Sequence, residues 1–498
     1  MTPDELAASL RSAGGLLQAG KAAGALQYCE KVLAVAENHP IAMTLAGLAH
    51  LELTQLDQAL ALLNRALQIA PQNLHARFGL GRIMEAQRQY QASADHYREV
   101  FKQESQHHAA RVGYANCCVA LGSFEEASDI YRDVLQRTGD QHLYRNLGIV
   151  ALQQNDLSLA EHHFRALLEA FPEDPDAHSQ MATALLKQER FADGWPYYER
   201  RLQNFFGHHQ HYATHLPIWD GSGGQKILVW CEEGPGDIAM FASVIPRLLA
   251  LSKQVTLAVE TRFHTLFRRS FGADLKLIAL DEIGRLSEEE HDARIAIAGC
   301  MRFFRGDPAS FAETATGYLQ PDGDRVSRYR EVLSAAAVDR KLIAINWRSF
   351  SEENGAERSI PLTQLLAALP SDQYLPVDLQ YGEVDAEVAE AEAAGHRLAR
   401  LPDLDATQDI DGLAAAIAAC DYQVSIDNTA VHLAGAIGAG QAVLLPFASN
   451  WRWGLGRAGS LFYQNTRLLS QSRLADWSEP LSKLSGLSAF IEASPSPS

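Results

Sequence analysis

Cysteine pairs with the CxxC spacing are missing from this sequence of 498 residues. Its six cysteines lie at positions 29, 117, 118, 231, 300 and 420, and no two of them form a CxxC motif. Structural zinc sites and disulfide-stabilised folds both depend on recurrent thiol spacings. The sequence therefore predicts neither a metal site nor a disulfide framework.

Basic residues are few relative to acidic ones, and long apolar runs are absent. The chain carries 43 Lys and Arg against 61 Asp and Glu, a formal net charge of −18. Sequence-independent nucleic-acid binding relies on a basic surface, so nucleic acid is not an expected partner. No stretch approaches the roughly 18–20 apolar residues of a membrane-spanning helix, and residues 1–5 do not resemble a secretory signal peptide. We expect a cytoplasmic protein with no membrane span.

Several catalytic motifs are absent as well. The sequence contains no GxxxxGK[ST], no GxSxG and no HExxH. Their absence disfavours kinases with a P-loop, hydrolases with a nucleophile elbow and zinc proteases. A sulfotransferase is disfavoured because no lysine follows the glycine turn at Gly234.

What the sequence does contain is a repeat in its first 200 residues. A small residue recurs at Gly47, Gly81, Ala115 and Gly148, in steps of 34, 34 and 33. Each is followed after twelve positions by another small residue and, four later, by a large one. These are Ala59, Ser93, Ala127 and Ala160, then Leu63, Tyr97, Tyr131 and Phe164. Small residues let crossing helices approach and large ones fill the groove beside them, so the pattern predicts stacked helix pairs.

This pattern resembles the tetratricopeptide repeat of 34 residues. Weaker copies come before it, at Gly14, Ala25 and Cys29, and after it, at Ala182, Gly194 and Tyr198. Five to six repeats would fill a domain over residues 1–205 and form an α-solenoid with a concave binding face. Core packing accounts for the repeated residues themselves.

Beyond the repeats the hydrophobic period changes. Residues 206–223 form a predicted linker that contains four histidines, which either ligate a metal or belong to a solvated connector. Short apolar runs then alternate with helical patterns, which predicts parallel α/β units at 224–335 and 336–490. The expected strands cover residues 227–230, 255–259, 275–280, 294–298, 342–347, 374–379, 422–426 and 442–445. Residues 491–498 are expected to be a disordered tail.

Two strand-to-helix junctions could carry chemistry. Gly234, Gly236 and Asp237 follow the first strand, where glycines let a ligand approach the backbone and Asp237 reaches the ligand-binding edge of the sheet. Asp237 is alternatively a plain helix cap. Asp427, Asn428 and Thr429 join a later strand to a helix whose N–H groups could bind a diphosphate, with His432 on the same face. His432 is alternatively a packed histidine.

Arginines and tryptophans follow two further strands. Trp347-Arg348 ends one strand and Arg358 enters the next helix, so the guanidinium groups could bind phosphate or lie on the surface. A polar loop over residues 350–356 between them could close over a ligand. Trp451 and Trp453 flank an arginine in a later loop, where they could stack on a sugar or base, or plug the end of the sheet.

Taken together, residues 219–470 resemble bacterial glycosyltransferases that follow a tetratricopeptide array. The matching segments are 219–221, 230–237, 241–243, 268–271, 358–362, 379–382, 409–413, 427–435 and 451–454. The similarity is to tetratricopeptide flagellin glycosyltransferases, laid out like protein O-GlcNAc transferase, and more distantly to ADP-heptose:lipopolysaccharide heptosyltransferases. The usual GLGD or GIGD turn is GPGD here, and the first α/β unit is short.

The resemblance implies a GT-B arrangement, in which two Rossmann-like units face each other across a cleft. It makes Asp237 the general base. The implied donor site contains Gly234, Gly236, Trp347, Arg348, Arg358, Gln380, Tyr381, Asp427, Asn428, Thr429, His432, Trp451 and Trp453. No metal and no cofactor beyond the nucleotide-sugar co-substrate is expected.

The expected function is protein O-glycosylation, with the repeats binding the acceptor protein. Flagellin as acceptor, and a CMP-linked nonulosonic acid such as CMP-pseudaminic acid as donor, follow from the resemblance alone. One alternative is a non-catalytic scaffold with an inactive transferase fold. Another is a transferase for a saccharide or lipid acceptor.

Overall fold

The computed structural model describes residues 1–204, 215–351 and 354–493. The chain divides into two compact units, Met1–Gln154 and Asn155–Ser498. The first unit is entirely helical. Its helices are α1 (Pro3–Gln18), α2 (Ala22–Leu33), α3 (Pro40–Glu52), α4 (Leu56–Ile69), α5 (Leu74–Ala86), α6 (Tyr90–Gln103), α7 (His108–Ala120), α8 (Phe124–Thr138) and α9 (Leu143–Gln153).

The repeated small and large residues meet where these helices cross. A Cβ atom added to Gly47 would lie 2.7 Å from the side chain of Leu63, and one added to Gly81 would lie 2.8 Å from the ring of Tyr97. Ser93 is buried and donates from its Oγ to the carbonyl of Gly81 at 2.7 Å. Close contact between backbones therefore excludes larger residues at these positions, as the repeat predicts.

The first copy of the repeat is offset from its predicted position. Ala13 is fully buried, whereas a Cβ atom on Gly14 would meet nothing within 4 Å. Ala13 thus occupies the packing position predicted for Gly14.

Each helix pair turns through one residue with left-handed backbone. These residues recur at the period of the repeat and are Gly20, Thr54, Arg88, Gly122, Asn155 and Glu189, with φ between 58° and 79°. Glycine adopts this conformation freely, whereas for other residues the left-handed backbone costs roughly 1–2 kcal/mol of conformational free energy. The turn geometry is kept even where the side chain disfavours it.

The second unit begins with four more helices and continues as α/β structure. The helices are α10 (Leu157–Ala170), α11 (Pro175–Lys187), α12 (Phe191–Glu199), α13 (Arg201–Asn204), α14 (Pro235–Phe241), α15 (Ile245–Leu251), α16 (His264–Phe271), α17 (Met301–Phe304), α18 (Gly323–Ala337), α19 (Gly355–Arg358), α20 (Leu362–Ala367), α21 (Asp385–Ala393), α22 (Ile410–Ala418), α23 (Thr429–Ala436), α24 (Ser478–Ser482) and α25 (Leu487–Ala493).

Its strands form two parallel sheets, as the alternation of strands and helices predicts. They are β1 (Lys226–Trp230), β2 (Gln254–Val259), β3 (Leu275–Ala279), β4 (Ala293–Ala296), β5 (Lys341–Asn346), β6 (Tyr374–Asp378), β7 (Ala399–Arg400), β8 (Tyr422–Ile426), β9 (Gln441–Leu445) and β10 (Thr466–Ser470). The first sheet has the order β3-β2-β1-β4, and the second has the order β10-β9-β8-β5-β6-β7. Central strands β1 and β8 therefore end near the middle of their sheets, where open parallel sheets bind ligands.

The boundary between the two compact units lies within the repeats, because the last repeat helices pack on the α/β part. Leu186, Phe191 and Trp195 belong to the same buried cluster as the first sheet. Trp195 Nε1 also donates to the carbonyl of Arg305 at 2.6 Å. The predicted domain boundaries at residues 205, 223 and 335 remain predictions.

Part of the predicted linker packs on the first sheet and is hydrogen-bonded to it. Trp219 is fully buried, its ring centroid lies 4.9 Å from that of Phe303, and its backbone N–H donates to the carbonyl of Arg294 at 2.9 Å. Histidines 208, 209 and 211 lie outside the described residues. The predicted tail is helical as far as Ala493, and residues 494–498 are also outside them.

Candidate functional site

A polar cavity lies where the carboxyl ends of β1 and β8 meet. Its volume is about 280 Å³. The lining residues are Gly234, Pro235, Gly236, Asp237, Ser349, Ser351, Asn354, Arg358, Tyr381, Asp427, Asn428, Thr429, His432, Asn450 and Arg452. Residues from both sheets therefore contribute to one site.

The structure brings together many of the predicted site residues and leaves others outside the cavity wall. Those that line it are Asp237, Gly234, Gly236, Arg358, Tyr381, Asp427, Asn428, Thr429 and His432. Those that do not are Trp347, Arg348, Gln380, Trp451 and Trp453. A role for the second group in donor binding stays a prediction.

Asp237 lies in the first turn of α14 and forms an ion pair with Arg452. The Nε atom of Arg452 donates to Asp237 Oδ1 at 2.6 Å, and its Nη2 contacts the same oxygen. Burial raises the pKa of Asp237, while the charge of Arg452 opposes that shift and the charge of Glu233 adds to it. Asp237 is therefore a partly buried carboxylate whose proton affinity depends on where Arg452 points.

A second charged cluster lies behind Asp237. Arg201 of α13 contacts Glu232 and donates from its Nε to Glu233 at 2.7 Å. Tyr198 also donates to Glu233, at 3.0 Å. The predicted motif at residues 230–237 contains both glutamates, but their partners come from the last repeat, about 30 residues earlier in the chain.

The start of α23 supplies the opposite wall. Asn428 caps the helix, since its Oδ1 accepts from the N–H of Ala430 at 3.0 Å. Its Nδ2 is buried and has no hydrogen-bond partner. Arg358 lies near Asp427, with 3.9 Å between Nη1 and Oδ2, and donates from its Nε to Ser349 at 3.1 Å. An anion here would meet a guanidinium group and a helix start together.

His432 is buried at the back of this wall. Its ring stacks on Trp453, with 5.3 Å between centroids and 16° between planes. Its Nδ1 lies 3.0 Å from the hydroxyl of Tyr463. Burial, with the nearby charges of Arg452 and Arg358, lowers the pKa of His432 to about 3. The imidazole is therefore neutral at physiological pH.

Predicted site residues that do not line the cavity support the backbone that forms its walls. Gln380 Oε1 accepts from the N–H groups of Trp347 and Arg348, each at 2.9 Å. The indole of Trp347 is fully buried and donates to Glu387 at 2.6 Å, while Arg348 contacts the same carboxylate. These contacts fix the turn after β5.

Trp451 also has a supporting position. It is buried, and its ring meets Trp195 of α12 edge to face at 5.5 Å. Nearby, Lys187 of α11 donates to the carbonyl of Ser449 at 2.7 Å and to Asn155 Oδ1 at 2.8 Å. The loop after β9, which carries Arg452, is thus attached to the last repeats. Sequence reasoning missed Lys187 and Arg201 because nothing in a repeat pattern marks contacts outside it.

The described residues contain no group of three or more His, Cys, Asp and Glu side chains placed to hold a metal ion. None of their helices has both the length and the apolar character that crossing a membrane requires.

Similarity to known proteins is clearest in the repeats. Residues 16–77, 50–93, 84–148 and 145–205 match tetratricopeptide repeat families. The chain is also 27% identical over 342 residues to the protein FlbA of Caulobacter vibrioides, a match that covers 64% of this chain and 56% of FlbA. The chain thus spans about half the length of this relative.

Several solved structures share a weaker likeness. MamA from Desulfovibrio magneticus is 16% identical, with a TM-score of 0.31 over 35% of this chain and 99% of MamA. PilF from Pseudomonas aeruginosa is 23% identical, with a TM-score of 0.31 over 35% of this chain and 78% of PilF. Scores this low support no functional conclusion. The repeat matches confirm the prediction for the first part of the chain: residues 16–205 carry tetratricopeptide repeats, whose stacked helices present a surface for protein partners.

Proposed function

We propose that this chain is a metal-independent glycosyltransferase that moves a sugar from a nucleotide to a protein hydroxyl. The observation that carries the proposal is the shared cavity. Asp237 enters it from the first sheet, and Arg358, Asp427 and the start of α23 enter it from the second. A cavity lined from two α/β units supports a GT-B arrangement, which the sequence resemblance implies and in which two substrates meet between the units.

The residues of the cavity suit an in-line displacement at the anomeric carbon. Asp237 takes the proton from the acceptor hydroxyl, whose oxygen forms the new bond to the anomeric carbon. The bond from that carbon to the phosphate oxygen breaks, and the nucleotide leaves with the electron pair. Arg358 and Arg452 stabilise the departing negative charge. A phosphate that attracts Arg452 also weakens its ion pair with Asp237 and makes that carboxylate a stronger base.

The repeats supply the acceptor side of the proposal. Stacked tetratricopeptide helices bind proteins, so residues 16–205 are suited to hold a protein acceptor. Flagellin as the acceptor and a CMP-linked nonulosonic acid as the donor rest on the sequence resemblance described above.

One observation favours a binding protein without transferase activity. Asp237 is already paired with Arg452, so the carboxylate is not free to act as a base in this state. In that case the cavity would bind nucleotide sugar without transferring it.

Intact mass of flagellin separates these possibilities. Flagellin is co-expressed with the enzymes that make the sugar nucleotide and with one of three chains. These are the parent, the Asp237→Asn variant and the Asp281→Asn variant. We expect the parent and the exposed control Asp281→Asn to add the sugar mass, and Asp237→Asn to lose roughly 10²–10⁴ in rate because an amide cannot accept the proton. Transfer by Asp237→Asn at the parent rate would place the base elsewhere.

Calorimetric titration of CMP, UDP and ADP tests the donor side. Arg358→Ala should weaken nucleotide binding by roughly ten- to a hundred-fold, since it removes a charge-assisted hydrogen bond. Arg285→Ala is the control, because Arg285 is 81% exposed and outside the cavity. Binding should persist in EDTA. A parent chain that binds none of the three nucleotides would contradict the proposal.

A further inference from the structure

The last repeat holds the turn between β1 and α14 from behind. Arg201 of α13 contacts Glu232 and donates from its Nε to Glu233 at 2.7 Å. The side chain of Arg201 is 11% exposed, that of Glu232 3% and that of Glu233 16%. Removing one partner of a buried ion pair leaves a charge without compensation, which the surrounding backbone must move to accommodate. The position of this turn therefore depends on Arg201.

Tyr198 of α12 touches both sides of the cavity wall. Its hydroxyl donates to Glu233 at 3.0 Å, in the turn after β1. Its ring meets Trp451 edge to face, with 5.8 Å between centroids, in the loop after β9. The guanidinium carbon of Arg201 lies 4.1 Å from the centroid of the same ring. These three contacts fix the ring, so that Tyr198 joins the turn to the loop.

The two segments that Tyr198 joins carry the ion pair of the cavity. Asp237 lies in the first turn of α14, four residues after Glu233. Arg452 follows Trp451 directly, and its guanidinium carbon lies 5.0 Å from the centroid of that ring. Arg452 Nε donates to Asp237 Oδ1 at 2.6 Å. A shift of either segment therefore changes the separation of Asp237 and Arg452.

The charge states of the two glutamates agree with this arrangement. Burial disfavours the ionised form of Glu233, but the charges of Arg201 and Arg452 outweigh it and lower the pKa of Glu233. Burial raises the pKa of Glu232 to about 7, although the charge of Arg201 opposes that shift. Arg201 thus provides positive charge for two adjacent buried carboxyl groups.

We propose that Tyr198 and Arg201 are positioning residues for sugar transfer, because they hold Asp237 in place relative to Arg452 and the acceptor hydroxyl. The last repeat then contributes to the chemical step as well as to acceptor binding. This inference rests on the proposed function, in which Asp237 takes the proton of that hydroxyl. A displacement of a reacting group by about 1 Å costs roughly a hundred-fold in rate.

Kinetics of the full chain with CMP-pseudaminic acid and flagellin, followed by intact mass, test the positioning role. We expect Arg201→Met to lower kcat by roughly ten- to a hundred-fold and to leave KM for flagellin unchanged. Calorimetry should give the parent affinity for CMP, since Arg358 and the start of α23 are not altered. Tyr198→Phe removes the hydroxyl, keeps the ring on Trp451, and should lower kcat less.

Arg302→Met is the matched control. Arg302 of α17 pairs with Glu199 of α12 at 2.6 Å and does not line the cavity. The control therefore removes an ion pair between the same repeat and the α/β part without touching the turn after β1, and it should keep the parent kcat. Equal losses of kcat in Arg201→Met and Arg302→Met would show a general effect of repeat docking and would overturn the inference. A raised KM for flagellin at unchanged kcat would make Arg201 an acceptor contact instead.

A double-mutant cycle tests whether Arg201 acts through Asp237. If it does, Arg201→Met should not lower the residual rate of Asp237→Asn any further, because the displaced carboxylate is already gone. Multiplying losses in the double variant would overturn the inference. Thermal unfolding checks each variant, and Tyr198→Phe takes the place of Arg201→Met in the cycle if the latter does not fold. Absence of both transfer and nucleotide binding in the parent would instead contradict the proposed function.

Discussion

Gly236 lies where α14 packs closely against α23. A Cβ atom there would lie 3.0 Å from His432 Cδ2 and 3.3 Å from Thr429 Cα. The histidine ring is held by Trp453 and Tyr463 and has little room to move. We therefore expect Gly236→Ala to destabilise the second unit by about 1 kcal/mol, since overpacking outweighs the helix preference of alanine, and to weaken nucleotide binding.

Gly234→Ala is the matched control for this prediction. A Cβ atom on Gly234 would meet nothing within 4 Å, and its φ of −68° suits any residue. Thermal unfolding and nucleotide titration of the two variants measure the difference. Equal melting temperatures and equal affinities would show that the contact at Gly236 relaxes at no cost.

Site residues at chain junctions could be predicted from sequence, whereas their partners could not. Asp237 and Asn428 follow strands and begin helices, which places them at the ligand-binding edge of a sheet. Arg452 pairs with Asp237 across 215 residues of sequence, and Tyr463 reaches His432 across 31. Contacts of this kind depend on tertiary packing, which no local pattern contains.

At the scale of elements, α11 anchors the loop that follows β9. The amine of Lys187 is buried between Asn155 Oδ1 and the carbonyl of Ser449. Burial lowers the pKa of Lys187 from its ordinary value of 10.5 to about 8. The folded protein thus holds this proton less tightly than the unfolded chain. Lys187 therefore makes the free energy of unfolding rise as pH increases from about 8 to 10.5.

We expect this rise to be smaller in Lys187→Met, which fills the space but has no amine to titrate. Denaturant unfolding at the two ends of this pH range measures it, with the exposed Lys253→Met as control. Lys187→Met should also weaken nucleotide binding, because the loop that carries Arg452 loses the hydrogen bond between Lys187 and the carbonyl of Ser449. A pH dependence identical to that of the parent would mean that the amine is hydrated in the folded state.

Elements with a strong period were predictable, and short or interrupted ones were not. The apolar residues between 241 and 249 have the spacing of one helix in the sequence, but in the structure α14 ends at Phe241 and α15 begins at Ile245. Pro246 lacks an N–H and suits the first turn of a new helix rather than the interior of a longer one. Strands β7 and β10 were missed, since β7 has two residues and β10 has exposed polar residues at Arg467 and Ser470.

At the scale of the whole molecule, the repeat pattern and the packing end at different places. The pattern continues through Tyr198, but α11 and α12 bury Leu186, Phe191 and Trp195 with the α/β core. Sequence periodicity reports the local helix pairs and not the surface on which they pack. The division between the two compact units after Gln154 therefore leaves no mark in the repeat pattern.

Two fragments make this difference measurable. We expect residues 1–154 to be helical by circular dichroism and to unfold cooperatively, since they form a compact unit. A fragment of residues 1–205 should bind a hydrophobic dye more strongly, because Phe191 and Trp195 lose their covering. Equal dye binding by the two fragments would mean that α11 and α12 bury these side chains without the α/β part.

The left-handed turn position has a consequence for how repeats can be gained or lost during evolution. At Gly20 and Gly122, which have no side chain, it reverses the chain direction, but Asn155 donates there to the carbonyl of Phe447 and Glu189 accepts from Arg457. A copy of an earlier repeat inserted after Asn155 would keep the helices and lose these attachments. Length variation among related chains should therefore gather before Asn155, while the last two units are inherited as a block with the α/β part.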